Sequence, residues 1–427
     1  MVRTLLIFCL LFLSIAGHAQ QTLIHCGKLI DVRKQRIMEN MTIVVEGNTI
    51  VQIEKGYKLP REAGPTMIDL KDKVVMPGLM DMHVHLEQEM NRDKYIQKFT
   101  RNEADIAFES TRYAERTLMT GFTTVRDLGG TGVNTALRNA INKGQVLGPR
   151  VYSAGKALSI TGGHADPTNG YKKSIMGDPG PAEGIVNGPT DARKAVRQRY
   201  KNGADVIKIT ATGGVLSLGK DGTGPHFSLE EMEAIVQAAN DLGMKVAAHA
   251  HGDEGMYRAV QAGVASIEHG TLMTDRTMDL MIEKGTYLVP TITAGKAVED
   301  SARIQGFFPA MVAIKALHVG PKIHDTFGRA YERGVKIAFG TDAGVFRHGS
   351  NPMEFKYMTE KGMPALEAIQ CATLNAALLL GEEDKLGTIE AGKLADIVAV
   401  NEDPRNNINT MLDVVFVMKD GVVYKQP

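Results

Sequence analysis

The stretch that decides the fold is Gly78-Leu79-Met80-Asp81-Met82-His83-Val84-His85. It is an apolar run that ends in two histidines with one residue between them. Alternate residues of a strand point to the same side, so both imidazoles can reach one point. Further apolar segments follow at intervals, and the sequence between them is typical of amphipathic helices. The predicted strands are 78–83, 123–127, 151–153, 206–210, 246–249, 266–269, 287–290 and 337–341.

These eight strand–helix units predict an α/β fold, a (β/α)8 TIM barrel over residues 77–385. A doubly wound open sheet is the alternative, but no GxGxxG motif follows the first strand. The two ends of the chain are rich in β-branched residues and tight-turn signals, and we expect residues 20–76 and 386–427 to form one small β-sandwich domain. Segments 158–189 and 294–328 look like long loops on the active-site face.

Residues 1–19 have the pattern of a secretory signal peptide, with Arg3 before an apolar run and small residues up to Ala19. We therefore expect an exported protein, periplasmic or secreted, and no stretch is apolar for long enough to span a membrane. The 49 Lys and Arg residues balance 49 Asp and Glu residues, which disfavours a nucleic-acid partner. The three cysteines form no CxxC pair, which disfavours a thiolate zinc site. Assembly into a homo-oligomer is left open.

Metal-ligating side chains stand at the C-terminal ends of five predicted strands, where the strands of a barrel converge. A lysine inside an apolar strand is costly unless it is paired or modified, so the lysine of the fourth strand belongs with them. Imidazole and carboxylate ligands suit zinc. The sequence therefore predicts a metal site at this end of the barrel. The residues concerned are His83, His85, Lys208, His249, His251, His269 and Asp342.

Two motifs at opposite ends of the chain resemble those of the amidohydrolase superfamily. Residues 74–85 are similar to its opening motif, and residues 387–398 are similar to its closing motif. Inside the chain, residues 161–164, 211–215 and 340–344 resemble the imidazolonepropionase-like branch. That branch includes binuclear zinc dipeptidases and carboxypeptidases, with prolidases among them.

The resemblance implies two zinc ions and a set of ligands for them. These are His83, His85 and Asp342 for the first ion, His249 and His269 for the second, and Lys208, carboxylated by CO2, as the bridge. Carboxylation would turn an unpaired buried cation into an anionic ligand with two oxygens. A hydroxide that bridges the ions would be the nucleophile. Asp342 would accept its proton and pass it to the leaving amine.

The same resemblance implies how a substrate would bind. His251, as an imidazolium, and the backbone N–H groups of Val215 and Leu216 would hold a free C-terminal carboxylate. His164 would polarise the scissile carbonyl or contact the substrate. Many prolidases have a tyrosine at the position of His251, and this departure argues against a strict preference for proline.

The sequence therefore predicts a binuclear zinc hydrolase that cleaves the amide bond before a C-terminal amino acid in dipeptides, short peptides or N-acyl amino acids. Phe307, Phe308 and Met311 favour an apolar residue there. A hydrolase of cyclic amides, imidazolones or lactones is the first alternative. A mononuclear deaminase would use Glu254 as its base and leave Lys208 idle. A non-catalytic scaffold would be expected to have lost some of the ligands.

Overall fold

The computed structural model describes residues 21–59, 64–219 and 222–427, so the predicted signal peptide at residues 1–19 lies outside the described residues. The strands are β1 Gln21–Asp31, β2 Arg36–Glu46, β3 Thr49–Lys55, β4 Thr66–Pro77, β5 Leu79–Val84, β6 Phe122–Asp127, β7 Arg150–Ser153, β8 Val206–Thr210, β9 Lys245–Ala250, β10 Ser266–His269, β11 Tyr287–Val289, β12 Ile397–Val400, β13 Val414–Lys419 and β14 Val422–Lys425. The helices are α1 Lys94–Thr100, α2 Glu103–Met119, α3 Val133–Asn142, α4 Lys173–Met176, α5 Pro189–Lys201, α6 Leu229–Asn240, α7 Asp253–Ala262, α8 Asp275–Lys284, α9 Ile292–Ala302, α10 Ala310–Arg333, α11 Met353–Glu360, α12 Ala365–Cys371 and α13 Leu374–Leu380.

Strands from both ends of the described chain share one seven-stranded sheet, in the order β14-β13-β12-β4-β1-β2-β3. A separate β-sheet domain is therefore present, but its strands belong to one continuous sheet rather than to the two separate sheets expected of a β-sandwich. The reason is the length of β4, which has 12 residues. Its residues 66–75 pair with β1 and its residues 74–77 pair with β12, so one strand joins the two halves into a continuous sheet.

The two faces of this sheet bury different sets of side chains. In β12, Ile397 and Ala399 pack in an apolar cluster formed by the sheet itself, whereas Val398 and Val400 pack in the main core with the central α/β part of the chain. This division follows from the alternation of side chains along a strand. The sheet is therefore joined to the α/β part through one of its own apolar faces.

The central part of the chain is a mixed α/β fold with two parallel sheets, β5-β6-β7 and β8-β9-β10-β11. Backbone contacts link them at both edges. Leu158 forms a parallel bridge with Ile209 of β8, while segment 336–343 hydrogen-bonds to Leu288 of β11 and to Met82 of β5. The predicted eighth strand lies in this last segment and is not a regular strand, because only isolated bridges form there, Ile337 with Leu288 and Ala343 with Val84.

The predicted loop at 294–328 is largely helical, because most of it belongs to α9 and α10. Val312, Ala316, Val319 and Ile323 of α10 are buried, and they recur at the spacing of three or four residues that places side chains on one face of a helix. The helical pattern was thus present in the sequence. No helix among the described residues is long and apolar enough to cross a membrane.

Candidate metal centre

The structure brings all six predicted metal ligands into one cluster at the C-terminal ends of the parallel strands. His83 Nε2 lies 3.2 Å from Lys208 Nζ and 3.6 Å from Asp342 Oδ1. The rings of His269 and His83 have centroids 5.1 Å apart, and those of His249 and His269 lie 4.7 Å apart. His85 Nε2 completes the cluster at 3.3 Å from Asp342 Oδ1.

Three of these residues offer atoms that one divalent cation could bind together. Ligand atoms of His83, His269 and Asp342 all lie within 4.8 Å of one another. This grouping differs from the one implied by the resemblance, which assigns His269 and His83 to different ions. Asp342 Oδ1 is buried and has no hydrogen-bond partner among the described residues. An unsatisfied buried carboxylate oxygen beside imidazoles fits a cation, so the residues present suit a metal.

Burial sets the protonation of the cluster. It is the main cause that lowers the pKa of His83, His249 and His269 well below the ordinary value of 6.5. The neutral imidazole is the form that binds metal ions. Burial also lowers the pKa of Lys208 to about 8. A lysine with this pKa has an appreciable fraction of neutral amine at neutral pH, and this is the form that can react with CO2.

The second nitrogen of several histidines is held by a neighbouring oxygen, which orients the ring. These contacts are His83 Nδ1 to Glu268 Oε2 at 2.9 Å, His85 Nδ1 to Gly129 O at 2.8 Å, His251 Nδ1 to Thr271 Oγ1 at 2.7 Å and His269 Nδ1 to Thr291 Oγ1 at 2.7 Å. Glu268 also accepts a hydrogen bond from Arg126 Nη2 at 2.9 Å, and both side chains are buried. Glu268 thus ties a metal-ligand candidate to a buried ion pair.

The backbone at the strand ends adopts a left-handed conformation that non-glycine residues seldom take. The φ angles are 71° at His269, 53° at Thr291 and 61° at Asp342. Strain of this kind persists only where the surroundings fix it. At Asp342 the backbone N–H donates to His83 O at 2.7 Å, which holds the turn in place. The strained turns therefore belong to the ligand cluster itself.

The cluster opens into a cavity of about 730 Å³. All six predicted ligands line it, and so do the predicted substrate residues His164, Val215, Leu216 and His251. Helices α9 and α10 supply an apolar wall, formed by Ala294, Val298, Val319 and Ile323. The expectation that Phe307, Phe308 and Met311 form the apolar lining is wrong, because Phe307 and Phe308 lie between α9 and α10, Met311 is exposed, and other residues of the two helices line the cavity.

His251 and His164 are also neutral in this setting. Burial, with a contribution from Lys315, lowers the pKa of His251 to about 3, so the ring is neutral in the unliganded protein, whereas the prediction concerns an imidazolium paired with a bound carboxylate. The ring of His164 stacks on that of His249 with centroids 4.4 Å apart, and its Nδ1 is buried without a hydrogen-bond partner among the described residues. Burial lowers the pKa of His164 well below 6.5. Both rings can exchange hydrogen bonds with a substrate but carry no charge.

Comparison with known proteins agrees with this geometry, because the sequence matches the amidohydrolase family over residues 74–424. The chain belongs to the amidohydrolase family. A solved structure of a Xaa-Pro dipeptidase with bound methionine in its active site is 53% identical, with a TM-score of 0.93 over 95% of this chain and 100% of that one. Ochratoxinase from Aspergillus niger is 32% identical over 98% of this chain and 89% of its own length. Imidazolonepropionase from Fusobacterium nucleatum is 27% identical over 89% of this chain and 92% of its own.

The resemblance inferred from the sequence motifs is thereby confirmed, and the protein is a metal-dependent hydrolase. The deaminase alternative is not favoured in this amidohydrolase. Glu254, its required base, is exposed and accepts a hydrogen bond from Arg258 Nε at 2.8 Å, and it is not among the residues that line the cavity. Lys208, which would be idle in a deaminase, lines the cavity instead.

Two residues of the amidohydrolase site were missed by sequence analysis. Glu268 lies inside the buried strand β10, and Lys315 lies on the buried side of α10, where its Nζ hydrogen-bonds to the loop that follows β8. A charged residue at a buried position of a strand or helix is costly unless it has partners. A charged residue at an apolar position of a predicted strand or helix is therefore the sequence feature that could have identified both residues.

Proposed function

We propose that this amidohydrolase is a binuclear zinc enzyme that cleaves the amide bond before a C-terminal apolar amino acid. Its substrates would be dipeptides, short peptides or N-acyl amino acids, and its parallel strands would form a closed (β/α)8 barrel around the site. One observation carries the proposal. Val215 and Leu216 line the same cavity as the ligand cluster, and the backbone N–H groups of these two residues have no acceptor within the described part of the chain.

The proposed metal ligands are His83, His85, Lys208, His249, His269 and Asp342. Bound zinc ions would supply Lewis-acid polarisation and lower the pKa of water at the site. Lys208 would first react with CO2: its nitrogen lone pair forms the N–C bond, and one proton leaves the nitrogen. The resulting carbamate is anionic and offers two oxygens as metal ligands. An unmodified lysine ammonium at this position could not bind a metal ion.

The chain's own groups have separate roles in the proposed hydrolysis. The carboxylate oxygen of Asp342 that does not bind a metal ion would take the proton of the attacking water and deliver it to the nitrogen of the leaving amine as the C–N bond breaks. His164 would donate a hydrogen bond to the scissile carbonyl oxygen. The N–H groups of Val215 and Leu216, with the neutral ring of His251, would bind the carboxylate of the C-terminal residue.

The preference for an apolar C-terminal residue rests on the cavity wall. Ala294 and Val298 of α9 and Val319 and Ile323 of α10 line it, and Val215 packs in one apolar cluster with the first three of these. A side chain attached next to a carboxylate bound at Val215 would lie against this wall. Its burial would contribute about 25 cal/mol for each Å² of apolar surface removed from water.

A dipeptide library tests the proposal. Zinc-loaded protein is incubated with alanyl dipeptides that differ in the second residue, and the free amino acids are measured by mass spectrometry. We expect release of leucine, methionine or phenylalanine well above that of aspartate or lysine, and loss of activity after removal of metal with a chelator. Failure to release any amino acid, or equal release with and without metal, would contradict the proposal.

Hydrolysis of a cyclic amide, an imidazolone or a lactone remains the second candidate, and the similarity to an imidazolonepropionase favours it. It would use the same ligand cluster but would not need a free carboxylate. The same protein preparation should therefore be tested on a panel of these rings. A non-catalytic role is not favoured, because all six ligands line the cavity.

A further inference from the structure

The loop that follows β8, residues 213–219, is held by its carbonyl groups. Lys315 Nζ donates to Gly214 O at 2.9 Å, to Ser217 O at 2.8 Å and to Gly219 O at 2.9 Å. One ammonium group thus gathers three carbonyls of the same loop. Because an ammonium has three donor hydrogens, this arrangement can use all of them.

Lys315 reaches this loop from the buried side of α10. Only 9% of the residue is exposed, and it lies between Val312, Ala316 and Val319, which are also buried. Burial of a lysine is costly unless its ammonium is well bonded. Apolar packing alone would not favour a lysine at this position. The hydrogen bonds to the loop carbonyls explain how its ammonium group is accommodated there.

Other groups hold the same loop. Tyr95 in α1 donates from its hydroxyl to Leu216 O at 3.1 Å, and His249 Nε2 lies 3.1 Å from Gly213 O. At Gly214 a Cβ atom would come within 2.2 Å of the His164 ring, so the absence of a side chain lets the loop approach that histidine. The carbonyls of five of the loop residues, Gly213, Gly214, Leu216, Ser217 and Gly219, are thereby engaged.

The N–H groups of the loop show the opposite pattern. Those of Val215 and Leu216 have no acceptor in the described part of the chain, and both residues line the cavity beside the ligand cluster. A loop whose carbonyls are bonded on one side can offer its N–H groups to an anion on the other. We infer that Lys315 is a positioning residue, which fixes the loop so that these two N–H groups bind the substrate carboxylate. The inference rests on the proposed function, in which that carboxylate is recognised.

The test compares a free acid with its amide. Methionine and methioninamide are used as competitive inhibitors of alanyl-leucine hydrolysis by the zinc-loaded protein, and alanyl-leucine and its amide are compared as substrates. Lys315→Met should raise the inhibition constant of methionine and the KM of the free-acid dipeptide by about tenfold or more, and change the values for the amides by less than about twofold. Lys315→Arg should recover part of the loss, because a guanidinium can also donate to several carbonyls.

Lys322→Met is the matched control, because Lys322 also lies on α10 but its Nζ contacts His318 rather than the loop. It should leave the acid-to-amide ratios of the inhibition constants and of the KM values unchanged. Zinc content and melting temperature are measured for every variant. If Lys315→Met does not fold, Tyr95→Phe replaces it. That variant removes one carbonyl contact, and it should lower the preference for the free acid by about two- to fivefold.

The outcomes separate the two hypotheses. If the wild type prefers free acids and the Lys315 or Tyr95 variants keep that preference, the positioning role is wrong and the proposed function stands. If the variants weaken the binding of free acids and amides equally, the role of Lys315 is structural only, and the inference is again overturned. If the wild type does not distinguish acid from amide, both the inference and carboxylate recognition are wrong.

Discussion

Glu268→Gln is the substitution whose effect the structure specifies most fully. The Glu268 carboxylate accepts hydrogen bonds from His83 Nδ1 and Arg126 Nη2, both at 2.9 Å, and from Ser266 Oγ at 2.5 Å. A glutamine places an NH2 group at one of these oxygen positions. If that group lies opposite His83, the ring must present its unprotonated nitrogen to the amide, and its proton moves to Nε2, the atom that would bind the metal.

Two magnitudes follow from these contacts. Loss of an oxygen that orients a metal-bound histidine typically weakens metal affinity by about 10- to 100-fold, which is roughly 1.4–2.7 kcal/mol. Removal of one charge from a buried ion pair costs about 3–5 kcal/mol when the partner is left without compensation. Because an amide oxygen can still accept from Arg126, we expect the loss of stability to be at or below the lower end of that range.

The assay is zinc competition with a chromophoric chelator, together with thermal melting of the apo protein. Glu354→Gln is the matched control. Glu354 is another fully buried carboxylate, but it accepts from Ile292 N and Thr293 N and has no hydrogen bond to a histidine among the described residues. It should change melting without changing zinc affinity. Wild-type zinc affinity in Glu268→Gln would refute the reasoning that Glu268 orients a metal ligand.

Three further predictions follow from single residues. Asp342→Asn should lower kcat by about 10²- to 10⁴-fold, measured on samples whose zinc content is shown to be unchanged; near-normal kcat would exclude the proton-transfer role. Gly214→Ala should lower kcat/KM by about tenfold with zinc retained, because its methyl group would meet the His164 ring at 2.2 Å, and unchanged kinetics would show that the contact is not needed. Burial raises the pKa of Glu354 from 4.5 to about 8, so the folded state holds a proton that the unfolded state releases. This contribution to stability is complete below about pH 4.5 and lost as pH rises through 8, so melting curves between pH 5 and 9 should show a smaller decline in Glu354→Gln than in the wild type.

The chemistry-bearing strand ends could be predicted from the sequence, because they combine apolar runs with ligands at local spacing. The pair His83 and His85 and the buried Lys208 are local patterns, and the structure places all three at the cavity. The single continuous sheet could not be predicted in this way. Its continuity depends on β4 pairing with strands from both ends of the chain, which is a long-range property.

The other differences have equally specific causes. A loop is predicted where α10 lies, although the buried residues of this helix recur with helical spacing. The charge state of His251 depends on burial and on Lys315, neither of which is visible near residue 251 in the sequence. Lys315 itself bonds a loop about a hundred residues earlier in the chain. Only the folded structure brings these groups together.

The most direct test of the proposed function is the ratio of kcat/KM for alanyl-methionine to that for alanyl-methionine amide, measured with zinc-loaded protein. The backbone N–H groups of Val215 and Leu216, which have no acceptor among the described residues, and the neutral ring of His251 predict a ratio of about 10 to 100 in favour of the free acid, with methionine as the released product. A ratio near one, or no hydrolysis of either compound by protein that holds its zinc, would contradict the account.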